Sequence, residues 1–175
     1  MDILDENDLR ATFFREVLAS DVVGTYELVE AYAPIHKRGH EAQLHLHPVF
    51  NYYHLVTQGL IRRAQLPLRM DLIGTLPFET QLELPEKGIS VFRDIFGLLP
   101  TAFRACCYGA SMSTLDALER IGIPYDSSFN AAYLGSSCLM NTRKPTNTPW
   151  QNGAVWEIPV NFRDRCVENA QPEIA

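Results

Sequence analysis

The sequence has no long apolar run. Its longest apolar stretches span about five residues, far short of the ~18 that a membrane-crossing helix requires. The first six residues, MDILDE, contain neither a basic segment nor an apolar one, so no secretory signal peptide is recognisable there. These absences exclude a membrane span within the sequence, and we expect a cytoplasmic location.

Positive charge and paired cysteines are also scarce. Lys and Arg number 15 against 21 Asp and Glu, giving a net charge of -6, which excludes a broadly basic nucleic-acid-binding face. The four cysteines form no CxxC pair, a pattern typical of free thiols in a reducing compartment. No G-x-G-x-x-G or Walker A motif occurs, and the stretch 109–113 lacks the second glycine of a serine nucleophile elbow.

What the sequence does contain is an alternation of strand-like and helix-like segments, which predicts a single α/β domain over residues 1–175 with a largely parallel sheet or barrel. A long loop with a short helix is expected over 48–80, and a surface excursion over 135–153. The predicted strands are 11–14, 40–47, 102–105 and 155–162, and the stretch 123–128 is predicted to be a strand followed by a loop. The predicted helices are 3–7, 25–37, 82–97 (broken near Pro85 and Gly88) and 113–121, the last with a capping box at 113–116.

The motif His45-Leu46-His47-Pro48 carries the clearest chemical signal. Side chains two apart on a strand point to one face, and Pro48 ends the strand, so both imidazoles should lie at its C-terminal end, where parallel α/β folds bind ligands. Two imidazoles can share a divalent ion, and a third ligand, usually a carboxylate, completes a hydrolytic site. The alternative is a pair of half-buried histidines bonded to the backbone.

Two further residues follow predicted strands. Arg104 leaves its strand just before a glycine turn, and such a guanidinium could hold a catalytic carboxylate ionised; the alternative is a structural salt bridge. Asp126 lies at another strand end, as either a site residue or a turn cap.

The order of these segments resembles that of the polysaccharide deacetylases, the NodB-homology family of carbohydrate esterases. The resemblance rests on four stretches along the chain: ATFF at 11–14, GHEAQLHLHP at 39–48, FRACCYG at 103–109 with GIPYDSS at 122–128, and EIPV at 157–160. It implies a partial distorted (β/α) barrel of the polysaccharide deacetylase type.

The resemblance also implies a chemistry. In that family zinc or a similar divalent ion, held by one aspartate and two histidines, activates a water that attacks an N-acetyl carbonyl. His45 matches the first metal histidine, and His47 is the nearest candidate for the second. Arg104 matches the arginine that pairs with the catalytic base, and the backbone N–H of Cys107 or Tyr108 would help to bind the oxyanion.

Two family motifs have no counterpart. The motif that carries the base and the metal aspartate would precede this sequence, and no histidine follows His54. We therefore expect an incomplete domain that lacks the first strand and the last units, binds zinc weakly and hydrolyses little, since a general base alone typically contributes ~10²–10⁴ in rate.

Three functions remain open. The first is a metal-dependent deacetylase of an N-acetylated carbohydrate, which the aromatic residues Phe50, Tyr52 and Tyr53 favour slightly because such rings can stack on sugars. The others are an amidohydrolase of the same fold acting on a small amide, and a non-catalytic binding or structural module. No nucleic-acid partner is expected.

Overall fold

A six-stranded sheet forms the centre of the computed structural model, which describes residues 1–141 and 147–160. The strand order is β1-β2-β3-β4-β6-β5, and every neighbouring pair is parallel except β5 with β6. No pairing within the described residues joins β1 to β5, so this part of the sheet is open. The strands are β1 (Thr12–Glu16), β2 (Glu41–Leu46), β3 (Ala102–Ala105), β4 (Tyr125–Asp126), β5 (Trp150–Asn152) and β6 (Val155–Glu157).

Helices cover one face of this sheet. Buried residues of the two longest helices join strand residues such as Leu44, Leu46 and Phe103 in one hydrophobic core. None of the helices in the described ranges is both long enough and apolar enough to cross a membrane. The helices are α1 (Asp2–Glu6), α2 (Ser20–Val23), α3 (Thr25–Lys37), α4 (Pro48–Thr57), α5 (Phe78–Phe96) and α6 (Met112–Arg120), with 3₁₀ turns at Arg63–Gln65, Ile73–Thr75, Cys106–Tyr108 and Ala131–Tyr133.

The opposite face of the sheet carries both polar and apolar side chains and lines a cavity of about 390 Å³. Residues that pair across neighbouring strands share a face, and His45 pairs with Arg104 while Leu44 pairs with Phe103. The His45–Arg104 face is therefore the one away from the helices. Phe14, Gln43, Arg104, Tyr125 and Ile158 are among the residues that line its cavity.

Helix α5 corrects the expected break near Pro85 and Gly88, because it runs continuously from Phe78 to Phe96. Both residues are buried on its inner face, where the missing side chain at Gly88 lets the helix approach Leu44 and Leu46 of β2. The packing of this face outweighs the poor helix propensity of proline and glycine.

Helix α6 begins earlier than expected. Its N-cap is Ser111, and the capping box pairs Ser111 with Thr114 rather than starting at Ser113. The backbone N–H of Ser111 donates to Thr114 Oγ1 at 3.0 Å. Two serines precede the apolar face, and the sequence motif alone does not distinguish which of them caps the helix.

The last predicted strand, 155–162, is shorter, since β6 ends at Glu157 and residues 161 and 162 lie outside the described residues. The expected surface excursion over 135–153 contains β5, which pairs antiparallel with β6. Residues 142–146 of that excursion are also outside the described part.

Candidate functional site

The two histidines of the His-Leu-His-Pro motif lie side by side where β2 ends. Their ring centroids are 4.9 Å apart and the ring planes are nearly perpendicular, at 79°. Leu46 between them is fully buried in the core, as the alternation of a strand requires. His47 is the N-cap of α4, and Pro48 at the first helical position starts that helix immediately. The local sequence thus holds both imidazoles at the carboxyl end of β2.

His45 has a defined protonation state. Its Nδ1 lies 2.6 Å from the carbonyl oxygen of Arg104. A carbonyl can only accept, so Nδ1 carries the hydrogen and Nε2 keeps its lone pair. Burial lowers the pKa of His45 to about 4, which makes the ring neutral at pH 7. This is the arrangement of a metal-binding histidine whose second nitrogen is anchored by the backbone.

His47 contacts a second group of potential ligands. Its Nδ1 is 3.2 Å from Cys106 Sγ, and one ligand atom each from His47, Asp71 and Cys106 lies within 4.8 Å of the other two. Burial lowers the pKa of His47, while the nearby carboxylate of Asp71 opposes that shift. Desolvation raises the pKa of the Cys106 thiol, with a smaller contribution from the adjacent Cys107.

Asp71 was not identified from the sequence. It lies in the segment between α4 and α5, where its Oδ1 accepts a hydrogen bond from the backbone N–H of Val49 at 3.3 Å. The only sequence signal was the unusual length of the segment 48–80, because loops of that size are commonly functional.

The sequence motifs do not identify Glu16 as a site residue either. It ends β1, and its half-buried carboxylate accepts hydrogen bonds from the backbone N–H groups of Leu18 and His47. Burial raises the pKa of Glu16 to about 8 despite these bonds, which favour the ionised form. The available sequence signal is the pair of charged residues Arg15 and Glu16 that follows the apolar Phe13-Phe14. Glu16 therefore connects the end of β1 to the backbone that follows β2.

Arg104 lies beside His45 on the cavity face, in register across β2 and β3. Its Nε and Nη2 donate to the carbonyl and hydroxyl oxygens of Ser127 at 2.8 and 2.7 Å, and its guanidinium lies 4.1 Å from the centre of the Phe14 ring. Desolvation lowers the pKa of Arg104. No carboxylate forms a salt bridge with it among the residues that the structure describes.

Tyr108 belongs to a tight turn after β3. Cys107 and Tyr108 both have left-handed backbone angles, with φ of 53° and 58°. Such conformations typically cost of order 1–3 kcal/mol each and persist only where the surrounding structure enforces them. The Tyr108 ring stacks on Tyr133 at 5.5 Å, and the oxyanion role expected for its backbone N–H stays a prediction.

Asp126 is not brought together with the histidines. It pairs with Phe103 and Glu157, which places it on the helix-covered face of the sheet, opposite to Arg104. Its carboxylate is fully buried and accepts bonds from the hydroxyl and backbone N–H of Ser128 at 2.8 and 3.2 Å. These contacts favour the turn-cap alternative for Asp126.

No protein-family model and no curated protein matches the chain. Among solved structures, it is similar to one described as a "putative polysaccharide deacetylase" from Mycobacterium smegmatis, with 21% identity and a TM-score of 0.59. The match covers 92% of this chain and 44% of that one, so the chain spans less than half the length of the structure it matches. The chain has a polysaccharide deacetylase-like fold.

Proposed function

We propose that the chain carries part of a metal-dependent hydrolase that removes the acetyl group from an N-acetylated carbohydrate. The observation that carries this proposal is the pair of imidazoles 4.9 Å apart at the carboxyl end of a parallel strand. That edge is where α/β folds bind substrates, and the fold is similar to that of a polysaccharide deacetylase.

The side chains present fit a divalent ion. His45 is neutral, and its Nε2 lone pair is left available by the Nδ1 bond to Arg104 O. His47 adds a second imidazole, and a carboxylate oxygen of Asp71 lies within 4.8 Å of a His47 ring nitrogen, in a group of potential ligands that does not include His45. A bound ion would polarise the acyl carbonyl and lower the pKa of a coordinated water. Asp71 is thus a candidate for the carboxylate that the sequence motifs left unaccounted for.

The other residues hold this end of the sheet in place. Arg104 is a positioning residue in the proposal: Ser127 fixes its guanidinium through two hydrogen bonds, so that a positive charge faces the cavity beside His45. A charge in that position would orient a carboxylate base or an anionic group of the substrate. The backbone N–H of Tyr108 would donate to the developing oxyanion.

The proposal is tested by acetate release from an N-acetylglucosamine oligosaccharide, with the chain incubated with Zn²⁺ or Co²⁺ or with a chelator. We expect slow release from this incomplete domain. Chelation should abolish it, and His45→Ala and His47→Ala should each lower the rate at least ~10-fold, since even outer-shell partners of a metal typically contribute 10–100-fold. His54→Ala, in α4, is the matched control and should retain the rate.

Three outcomes contradict the proposal. Acetate release that survives the chelator and both histidine substitutions would remove the metal from the reaction. A chain that binds the ion but releases no acetate from the oligosaccharide would favour the non-catalytic module. Release from a small N-acetyl amide alone would instead identify an amidohydrolase of the same fold.

A further inference from the structure

Three side chains of different chemistry converge beside His47. A ring nitrogen of His47, a carboxylate oxygen of Asp71 and Cys106 Sγ lie within 4.8 Å of one another. They come from three separate parts of the chain: the N-cap of α4, the segment before α5, and the turn after β3. His45 is not a member of this group.

The group is shielded from solvent, most completely at the thiol of Cys106. Cys106 is 3% exposed, and its Sγ contacts His47 Nδ1 at 3.2 Å. Asp71 and His47 are half-buried, so an ion could reach the group from one side. Buried polar atoms normally need partners, and a thiol is a weak hydrogen-bonding group that satisfies an imidazole or carboxylate poorly. A cation would satisfy all three side chains together.

We propose that His47, Asp71 and Cys106 form a divalent-metal site with a thiolate ligand. Nitrogen, oxygen and sulfur are the three ligand types of protein-bound Zn²⁺, and three protein ligands leave a fourth position for water. The thiolate would make the site prefer thiophilic ions such as Zn²⁺, Co²⁺ and Cd²⁺ over Mg²⁺ and Ca²⁺. This metal site rests on the proposed function because the two share His47. Binding of the ion to the site, however, requires no hydrolysis.

Binding of the ion to Cys106 replaces an S–H bond with a bond from sulfur to the ion, and no oxidation state changes. The S–H bond of Cys106 breaks, a bond from sulfur to the ion forms, and the proton passes to solvent. One proton is therefore released from Cys106 for each ion bound.

Cys107 provides an internal comparison. Its Sγ lies 3.4 Å from Cys106 Sγ, yet the residue is exposed and is not part of the three-residue group. Only Cys106 is therefore expected to bind the ion.

The test is Co²⁺ titration of the reduced chain, followed by near-ultraviolet absorption. A sulfur-to-cobalt charge-transfer band appears only if a thiolate is bound, and the wild-type chain is expected to show it at one equivalent. Cys106→Ser should lose the band, whereas Cys107→Ser should keep it. Asp71→Asn should keep the band but weaken the affinity at least ~10-fold, as loss of a ligand contact does.

His45→Ala separates the inference from the proposed function. If the band persists in His45→Ala, the thiolate site stands, whether or not the oligosaccharide is hydrolysed. Co²⁺ that binds the wild-type chain without the band would overturn the inference while leaving a histidine-based hydrolase intact. Loss of the band in Cys107→Ser but not in Cys106→Ser would overturn it as well. The wild-type spectrum decides even if Cys106→Ser does not fold, and circular dichroism checks the folding of each variant.

Discussion

Glu16 links two strand ends through a single half-buried carboxylate. It accepts hydrogen bonds from Leu18, which follows β1, and from His47, which follows β2. Backbone N–H groups buried at such a junction need an acceptor, because each unpaired one costs free energy. We infer that Glu16 stabilises the path of the chain around His47 rather than acting on a substrate.

Near pH 9, where the Glu16 carboxylate with its pKa of about 8 is ionised, we expect Glu16→Gln to lower the free energy of unfolding by about 1–3 kcal/mol, because the amide keeps one acceptor oxygen but turns an NH₂ group toward a backbone N–H. Urea denaturation measures the change. Glu30→Gln, at an exposed position of α3, is the matched control and should stay within ~0.5 kcal/mol of wild type. Equal stability of the two variants would argue against the linking role of Glu16.

The adjacent cysteines differ in access, and this difference predicts their reactivity. Cys106 is buried and Cys107 is exposed, while Cys138 is fully buried. Brief treatment of the native chain with iodoacetamide should therefore modify Cys107 ahead of Cys106 and Cys138, because the reagent needs an accessible sulfur. Peptide mass spectrometry measures the order, with the urea-unfolded chain as the control in which all three react. Faster labelling of Cys106 would contradict the burial of its thiol.

The histidine pair could be predicted from sequence because the relevant geometry is local. Side chains of His45 and His47 share a strand end, so their spacing alone indicates that they meet. Asp71 and Cys106 reach His47 from segments 24 and 59 positions away along the chain. No periodic pattern in the sequence indicates contacts at that separation. The group of His47, Asp71 and Cys106 is therefore recognised only from the three-dimensional structure.

At the scale of elements, α5 decides how the helix layer sits on β2. Its buried positions Gln81, Leu84, Pro85, Gly88 and Phe92 recur every three or four residues and make one face. A Cβ at Gly88 would lie 2.7 Å from Leu46 Cδ2 and 3.3 Å from Leu44 Cδ1. The helix therefore approaches β2 at the residue that separates the two histidines.

Gly88→Ala tests this close approach. Alanine gains ~1 kcal/mol of helix propensity over glycine, but overpacking a core typically costs ~1–3 kcal/mol, and the buried Leu46 has little room to move. We expect a net loss of about 1 kcal/mol in urea denaturation. Ser90→Ala, exposed on the same helix, receives only the propensity gain and should not destabilise. Stabilisation by Gly88→Ala would show that the helix can move away from β2 without loss.

At the scale of the whole molecule, the layered α/β architecture could be predicted from the alternation of segments, and α3 has the bounds that its periodicity indicates. The continuity of α5 could not be predicted in this way, because proline and glycine have low helix propensity. In α5, Pro85 and Gly88 are buried, and their packing supports the helix. The pairing of β5 with β6 also depends on long-range contacts, since three-residue strands carry little pattern of their own.

A buried acid pair connects β4 to β6 across the sheet. Asp126 and Glu157 are neighbours in register, both are fully buried, and Glu157 Oε1 accepts a hydrogen bond from the Phe129 backbone N–H at 3.0 Å. Burial, together with the smaller effect of the adjacent Asp126 carboxylate, raises the pKa of Glu157 to about 11; burial also raises the pKa of Asp126. Glu157 is therefore protonated in the folded chain near pH 7, with its second oxygen free to donate to Asp126.

This pair makes folding depend on pH. The unfolded chain ionises Glu157 above pH 4.5, while the folded chain keeps the proton until about pH 11, so the contribution of Glu157 to stability is lost as the pH rises between these values. Glu157→Gln imitates the protonated form without a proton to lose. We expect its free energy of unfolding, relative to wild type, to increase from pH 5 to pH 8 by at most ~1.4 kcal/mol per pH unit in urea denaturation. Glu86→Gln, exposed on α5, should show a constant difference, and the same constancy for Glu157→Gln would mean that the buried pair is ionised.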